Sequence, residues 1–165
     1  MNWLKYLSIF VCILIYTFCN AQNLVKIKLD IKLRPVEHYK HHLKKCDVIT
    51  SRNNLVIDSV RLRGYKLKSK LIKSGFYKIQ FKKEGYIAKY IVINANNLPI
   101  KRKHHYSLKA ELTLFRHSKN EDVSFLENEP ISIAYYNETK DDMVWDFEYN
   151  RSIIEKIIHA QTKGK

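Results

Sequence analysis

Five histidines fall in two tight groups, His38, His41 and His42 within five residues and His104 beside His105. Neutral imidazoles at such spacing bind zinc, copper or nickel. Two features oppose a metal site. Neither His-Glu-x-x-His nor His-x-x-Glu occurs, and Lys40, Lys44 and Lys45 would repel a cation. The acid pairs Glu127 with Glu129 and Asp141 with Asp142 suit calcium or acid–base work in principle. They lack the glycine turn of a calcium loop and sit in an acidic stretch better read as solvated or turned toward the basic body. Cys46, next to Val48 and Ile49, reads as a small core residue rather than a nucleophile. No Gly-x-Ser-x-Gly elbow is present, and four glycines cannot supply a phosphate cradle. Nothing here requires a cofactor, and none is expected.

Charge is the stronger signal. The 165 residues carry a formal net charge of +14, with 30 Lys plus Arg against 16 Asp plus Glu. Residues 22–120 hold 24 basic and 6 acidic side chains, and residues 121–165 hold 5 and 10. Such a body suits a polyanion, either acidic polysaccharide or anionic lipid. The candidate contacts are Arg61, Arg63, Lys66, Lys68, Lys70 and Lys73, with the loop Lys101, Arg102 and Lys103. Codon bias toward Lys, Ile, Asn and Tyr is the competing explanation. Tyr65 and Tyr86, each following a glycine, are the aromatics to test as exposed stacking surfaces.

The elements that must position these residues read as strands. In residues 24–33, Val25, Ile27, Leu29, Ile31 and Leu33 alternate with charged neighbours, the period of a half-buried strand. Short apolar runs at 46–50 and 55–60 flank the turn-like Ser51-Arg52-Asn53-Asn54. Alternation returns at 65–71, 77–82 and 106–115. Gly75 and Gly85 mark turns, the second closing a hairpin that needs positive φ. Residues 86–94 are apolar on both faces apart from Lys89, as a central strand should be. An all-β, antiparallel sandwich of seven to eight strands follows. Residues 121–150 look irregular, with one strand-like piece at 131–136. Ser152 and Glu155 form a possible capping box for a short C-terminal amphipathic helix over 152–161, with Ile153, Ile154, Ile157 and Ile158 on one face.

Residues 1–21 read as a secretory signal peptide. Lys5 supplies the positive end, residues 7–18 form an uncharged run of 12, and small residues precede a cleavage after Ala21. The run is short for a membrane span. Lipidation at Cys19 is opposed by the bulky Phe18 before it. Cleavage leaves Cys46 as the one cysteine and excludes an intramolecular disulfide. The expected organisation is a signal peptide at 1–21, a β-sandwich at 22–120, and an acidic extension with the helix at 121–165.

The stretch SGFYKIQFKKEGYIAKYIVINANNLP, residues 74–99, resembles exported bacterial envelope proteins that contain a carboxypeptidase-regulatory-like domain. The matching features are Gly75-Phe76, Gly85-Tyr86 and the outgoing strand at 87–93. The glycine-rich stretch common early in that family is replaced here by VEHYKHHLKK at 36–45. The resemblance implies a transthyretin-like (prealbumin-like) sandwich and a non-catalytic interaction module of the cell envelope. Its partner would be another envelope protein, in the periplasm or at the outer cell surface. Polyanion binding is the alternative, and export disfavours nucleic acid as the target.

Overall fold

In the computed structural model the described residues are 24–36, 41–96, 98–99, 105–116 and 123–163. The expected signal peptide, His38, His104 and the loop of Lys101, Arg102 and Lys103 lie outside them. Nine strands are present among the described residues: β1 Leu24–Pro35, β2 Asp47–Arg52, β3 Leu55–Arg61, β4 Lys66–Lys73, β5 Phe76–Lys82, β6 Lys89–Asn94, β7 Tyr106–Leu114, β8 Ser132–Asn137 and β9 Asp142–Trp145. A 3-10 turn covers Ser124–Glu127, and helix α1 covers Phe147–Lys163.

The strands form two sheets, β4-β1-β7 and β3-β2-β5-β6-β8-β9. Alternation in β1 turns Ile27, Leu29, Ile31 and Leu33 toward the core. Leu67 and Leu71 of β4 and Leu108, Leu112 and Leu114 of β7 join them. Tyr77, Ile79 and Phe81 of β5 and Ile91 and Ile93 of β6 face them from the larger sheet. Strand β6 lies between β5 and β8 and is buried along nearly its whole length, as its two-faced apolar pattern requires.

The sandwich with a C-terminal helix is thus the observed architecture, with seven strands in residues 22–120. Most pairings are antiparallel. Two are parallel, β1 with β7 and β6 with β8. Residues 121–165 contribute two strands to the larger sheet, since β8 pairs with β6 and β9 with β8. The four-residue β9, Asp-Met-Val-Trp, falls in a stretch that reads as irregular, because it is too short to establish a period of two.

The helix differs from expectation at its start. It begins at Phe147, five residues before the expected Ser152. Asp146 is the cap: its Oδ1 accepts the Tyr149 N–H at 2.9 Å and its carbonyl accepts the Asn150 N–H at 3.0 Å. Ser152 is already inside the helix, and its hydroxyl donates to the Tyr149 carbonyl at 2.8 Å. The capping box of Ser152 and Glu155 is therefore corrected to a single Asp146 cap. Helix α1 closes a small second core in which Ile153 and Ile157 pack with Ile87, Val123 and Leu126.

Candidate functional site

Three features of the sandwich carry chemistry or a surface. The first is its β3 edge. Asn53 and Asn54 both have positive φ, 48° and 66°, which a two-residue type I′ hairpin requires. The turn is fastened to β5: the Asn53 N–H donates to the Phe76 carbonyl at 2.8 Å, and the Phe76 N–H donates to Asn53 Oδ1 at 2.9 Å. Strand β3 leaves this turn paired with β2 and ends the sheet. All seven of its residues are exposed, Leu55 at 72% and Val56 at 65%. Ile57 shares a shallow groove of about 240 Å³ with Arg52, Lys70, Ile72 and Tyr77, so this edge borders the edge of the smaller sheet.

The second feature is the outer face of the smaller sheet. Register sets Lys28 opposite Lys70 on β4 and Ser107 on β7, and sets Asp30 between Lys68 and Lys109. Lys28, Lys68, Lys70 and Lys109 therefore line one open concavity around Asp30. Of the sequence candidates, Lys66, Lys68 and Lys70 share this face, and each is exposed. Arg61 does not join them. It lies on β3 in the other sheet and pairs with Asp47 at 3.6 Å. Arg63 is exposed in the β3–β4 connection, and the backbone of Lys73 ends β4. Lys28 and Lys109 were missed as candidates. Only the parallel pairing of β1 with β7, which no local pattern reveals, brings them to the same surface.

The third feature lies between the sheets and α1. Lys89, the exception in the apolar β6 run, is 0% exposed. Its Nζ donates to the Thr113 carbonyl at 2.7 Å and stands 3.7 Å from the centre of the Phe115 ring. Among the described residues no carboxylate pairs with it, and desolvation pushes its pKa down to about 6. Lys89 lines a cavity of about 440 Å³ with buried walls at Ile31, Ile91 and Ile157. Trp145 also lines it and is held in place by an Nε1–H donation to the Lys109 carbonyl at 2.9 Å. The more open rim carries Ile154 and Ile158, each about half-exposed.

Among solved structures, the chain is similar to the Klebsiella pneumoniae 5-hydroxyisourate hydrolase, at 11% sequence identity and a TM-score of 0.36, over 55% of this chain and 98% of that chain. No family model and no curated protein matches.

The remaining candidates have structural partners. Cys46 is buried and its thiol donates to the Lys82 carbonyl at 3.3 Å. Burial first, and Asp47 second, push its pKa up to about 11, which keeps it a thiol. His42 stacks on Tyr65 with ring centres 3.6 Å apart, and Arg116 covers Tyr86 while donating to its hydroxyl at 3.3 Å. Neither tyrosine presents a free ring face for stacking on both sides. Among the described residues no three His, Cys, Asp or Glu side chains meet at a metal-binding distance. Glu129 pairs with Lys156 at 2.7 Å, and Asp141 accepts from the Tyr136 hydroxyl at 2.6 Å. Gly85 takes φ +77°, as its turn demands, and the Tyr86 N–H donates to Lys83 to close that turn.

Proposed function

We propose that the protein is an exported, non-catalytic β-sandwich module that captures an extended segment of another envelope protein by strand addition at β3. The observation that carries this reading is the β3 edge. It is long, unpaired on one side among the described residues, and apolar at Leu55, Val56 and Ile57. Edge strands are usually blunted by lysine, proline or cover, because their open N–H and C=O groups template another strand. An added strand gains backbone hydrogen bonds and seats alternate side chains on either face. The excess positive charge of residues 22–120 selects an acidic partner segment, and Lys70 in the bordering groove stands ready to meet it. The resemblance of residues 74–99 to carboxypeptidase-regulatory-like domains, and the signal-like residues 1–21, support the envelope setting.

The probe is a ten-residue peptide alternating Val and Asp. Binding should slow amide exchange in β3 and should be lost in Val56→Pro. Bound peptide with β3 exchange unchanged would overturn the reading. A concentration-dependent dimer that protects β3 without any peptide would assign the edge to a second copy instead.

A second reading, polyanion binding, is favoured by Lys28, Lys68, Lys70 and Lys109 around one concavity. Acidic polysaccharide or anionic vesicles would bind with an affinity that falls steeply with salt. Lys28→Glu with Lys109→Glu should abolish that binding and leave the peptide's pairing with β3 in place. Binding insensitive to salt or to these changes would sink it.

A further inference from the structure

We infer that the cavity between β6, β7 and α1 takes an apolar aldehyde or ketone and holds it reversibly as an imine on Lys89. The argument rests first on placement. A fully buried amine is rare in a protein interior unless it is paired. Lys89 has one carbonyl acceptor and an aromatic ring for company, with no counter-ion among the described residues. It lies on the wall of a cavity whose volume falls in the range of about 300–1,000 Å³ typical of small-molecule sites. Walls of Ile31, Ile91 and Ile157 and a rim of Ile154 and Ile158 favour an apolar ligand body, with Lys109, Glu111 and Asn150 as the polar part of the lining. Neutral amines desolvated in apolar pockets are the nucleophiles of carbonyl chemistry.

The chemistry balances without a further reactant. The Nζ lone pair forms a bond to the carbonyl carbon, and the carbonyl π pair moves to oxygen. Transfer of one amine hydrogen to that oxygen gives a carbinolamine. Loss of the hydroxyl with the second amine hydrogen, as water, leaves the C=N bond. Nothing is oxidised or reduced, and water reverses the step. The Thr113 carbonyl fixes Nζ through one N–H while the amine is free.

Burial also supplies selectivity. An ordinary lysine is neutral in only about one molecule in 10³ at pH 7, whereas Lys89, pushed down to about 6, is mostly neutral. Lower basicity and restricted access offset part of that advantage, so a preference of at least ~10-fold over surface lysines is expected.

The test treats the full-length protein with decanal and cyanoborohydride at pH 7 and follows labelling by peptide mass mapping. The inference expects Lys89 to gain a decyl group at least ~10-fold faster than any other lysine. It also expects decanal to outpace the hydrophilic glyceraldehyde there. With 22 other lysines each at about a tenth of its rate, early total uptake should fall by about a third or more in Lys89→Met, checked for an unchanged circular dichroism spectrum. Surface lysines labelled first, or unchanged uptake in Lys89→Met, would overturn it. Equal rates for the two aldehydes at Lys89 would overturn the apolar ligand class.

Discussion

The Lys89 amine nitrogen, at the start of β6, donates to the Thr113 carbonyl of β7 at 2.7 Å and so bridges the two sheets from inside the sandwich. Burial holds its pKa near 6, while the unfolded chain titrates it near ~10.4. Between those values the unfolded state binds a proton that the folded state lacks. Stability therefore rises with pH from about 6, with a slope of up to ~1.4 kcal/mol per unit. From pH 9 upward Cys46 opposes the rise, because its folded pKa of about 11 means the unfolded thiol ionises first. Tyr149, raised to about 12 chiefly by burial, and Tyr136, raised to about 12 chiefly by its bond to Asp141, add to that fall above pH 10. Urea unfolding at pH 6, 7.5 and 9 should show the rise in the wild type and lose it in Lys89→Met. Equal slopes in the two proteins would refute the assignment.

The two turn glycines should respond differently. Gly85 has φ +77°, and a Cβ added there would meet nothing within 4 Å. Gly85→Val therefore costs backbone strain alone, about 1–3 kcal/mol. Gly75 has φ +144°, and its Cβ would fall 2.9 Å from Arg52 Cγ and 3.2 Å from Asn53 Oδ1. That Oδ1 is the acceptor that fastens the β2–β3 turn to Phe76. Gly75→Ala should thus lower the melting temperature more than Gly85→Ala, and should loosen β3 in hydrogen exchange. A larger loss at Gly85 would contradict this geometry.

Helix α1 gives a paired comparison. Asp146→Ala removes the cap and should cost about 1 kcal/mol, whereas Ser152→Ala, inside the helix, should be near neutral. Ile153 is buried in the second core, so Ile153→Ala should cost roughly 2–4 kcal/mol. Ile154 is half-exposed at the cavity rim, and its truncation should stay within ~0.5 kcal/mol. Chemical denaturation of the four variants checks the ordering. If Ser152→Ala proved the costlier of the two polar changes, the helix start would lie elsewhere.

Local periodicity carried most of the fold. Alternation in residues 24–33 and 106–115 marks β1 and β7, and the unbroken apolar run at 90–93 marks the interior strand β6. What local periodicity cannot encode is the neighbour. The parallel pairing of β1 with β7 decides that Lys28 and Lys109 share a face, and it depends on contacts almost 80 residues apart. Lys89 illustrates the same limit. A lysine in an apolar run ordinarily sits where its amine reaches solvent. Here β7 and Phe115 close over it, and only the assembled sandwich makes its amine an interior group. The exposure of β3 was equally hidden, because Leu55, Val56 and Ile57 look like core residues in a list of letters.

That last feature yields a prediction in which stability and solubility part company. Both faces of β3 are open, so Val56 contributes little to either core. Val56→Lys should change stability by less than about 1 kcal/mol. It places a charge on the free edge, the usual device against edge-to-edge association. Light scattering at raised protein concentration should therefore show slower aggregation, while the denaturation midpoint stays almost fixed. A matching change deep in the same sheet, Ile79→Lys, puts an unpaired charge at a fully buried site and should prevent folding. If Val56→Lys also unfolded the protein, β3 would be packed against something in solution, and the open edge would already have its occupant.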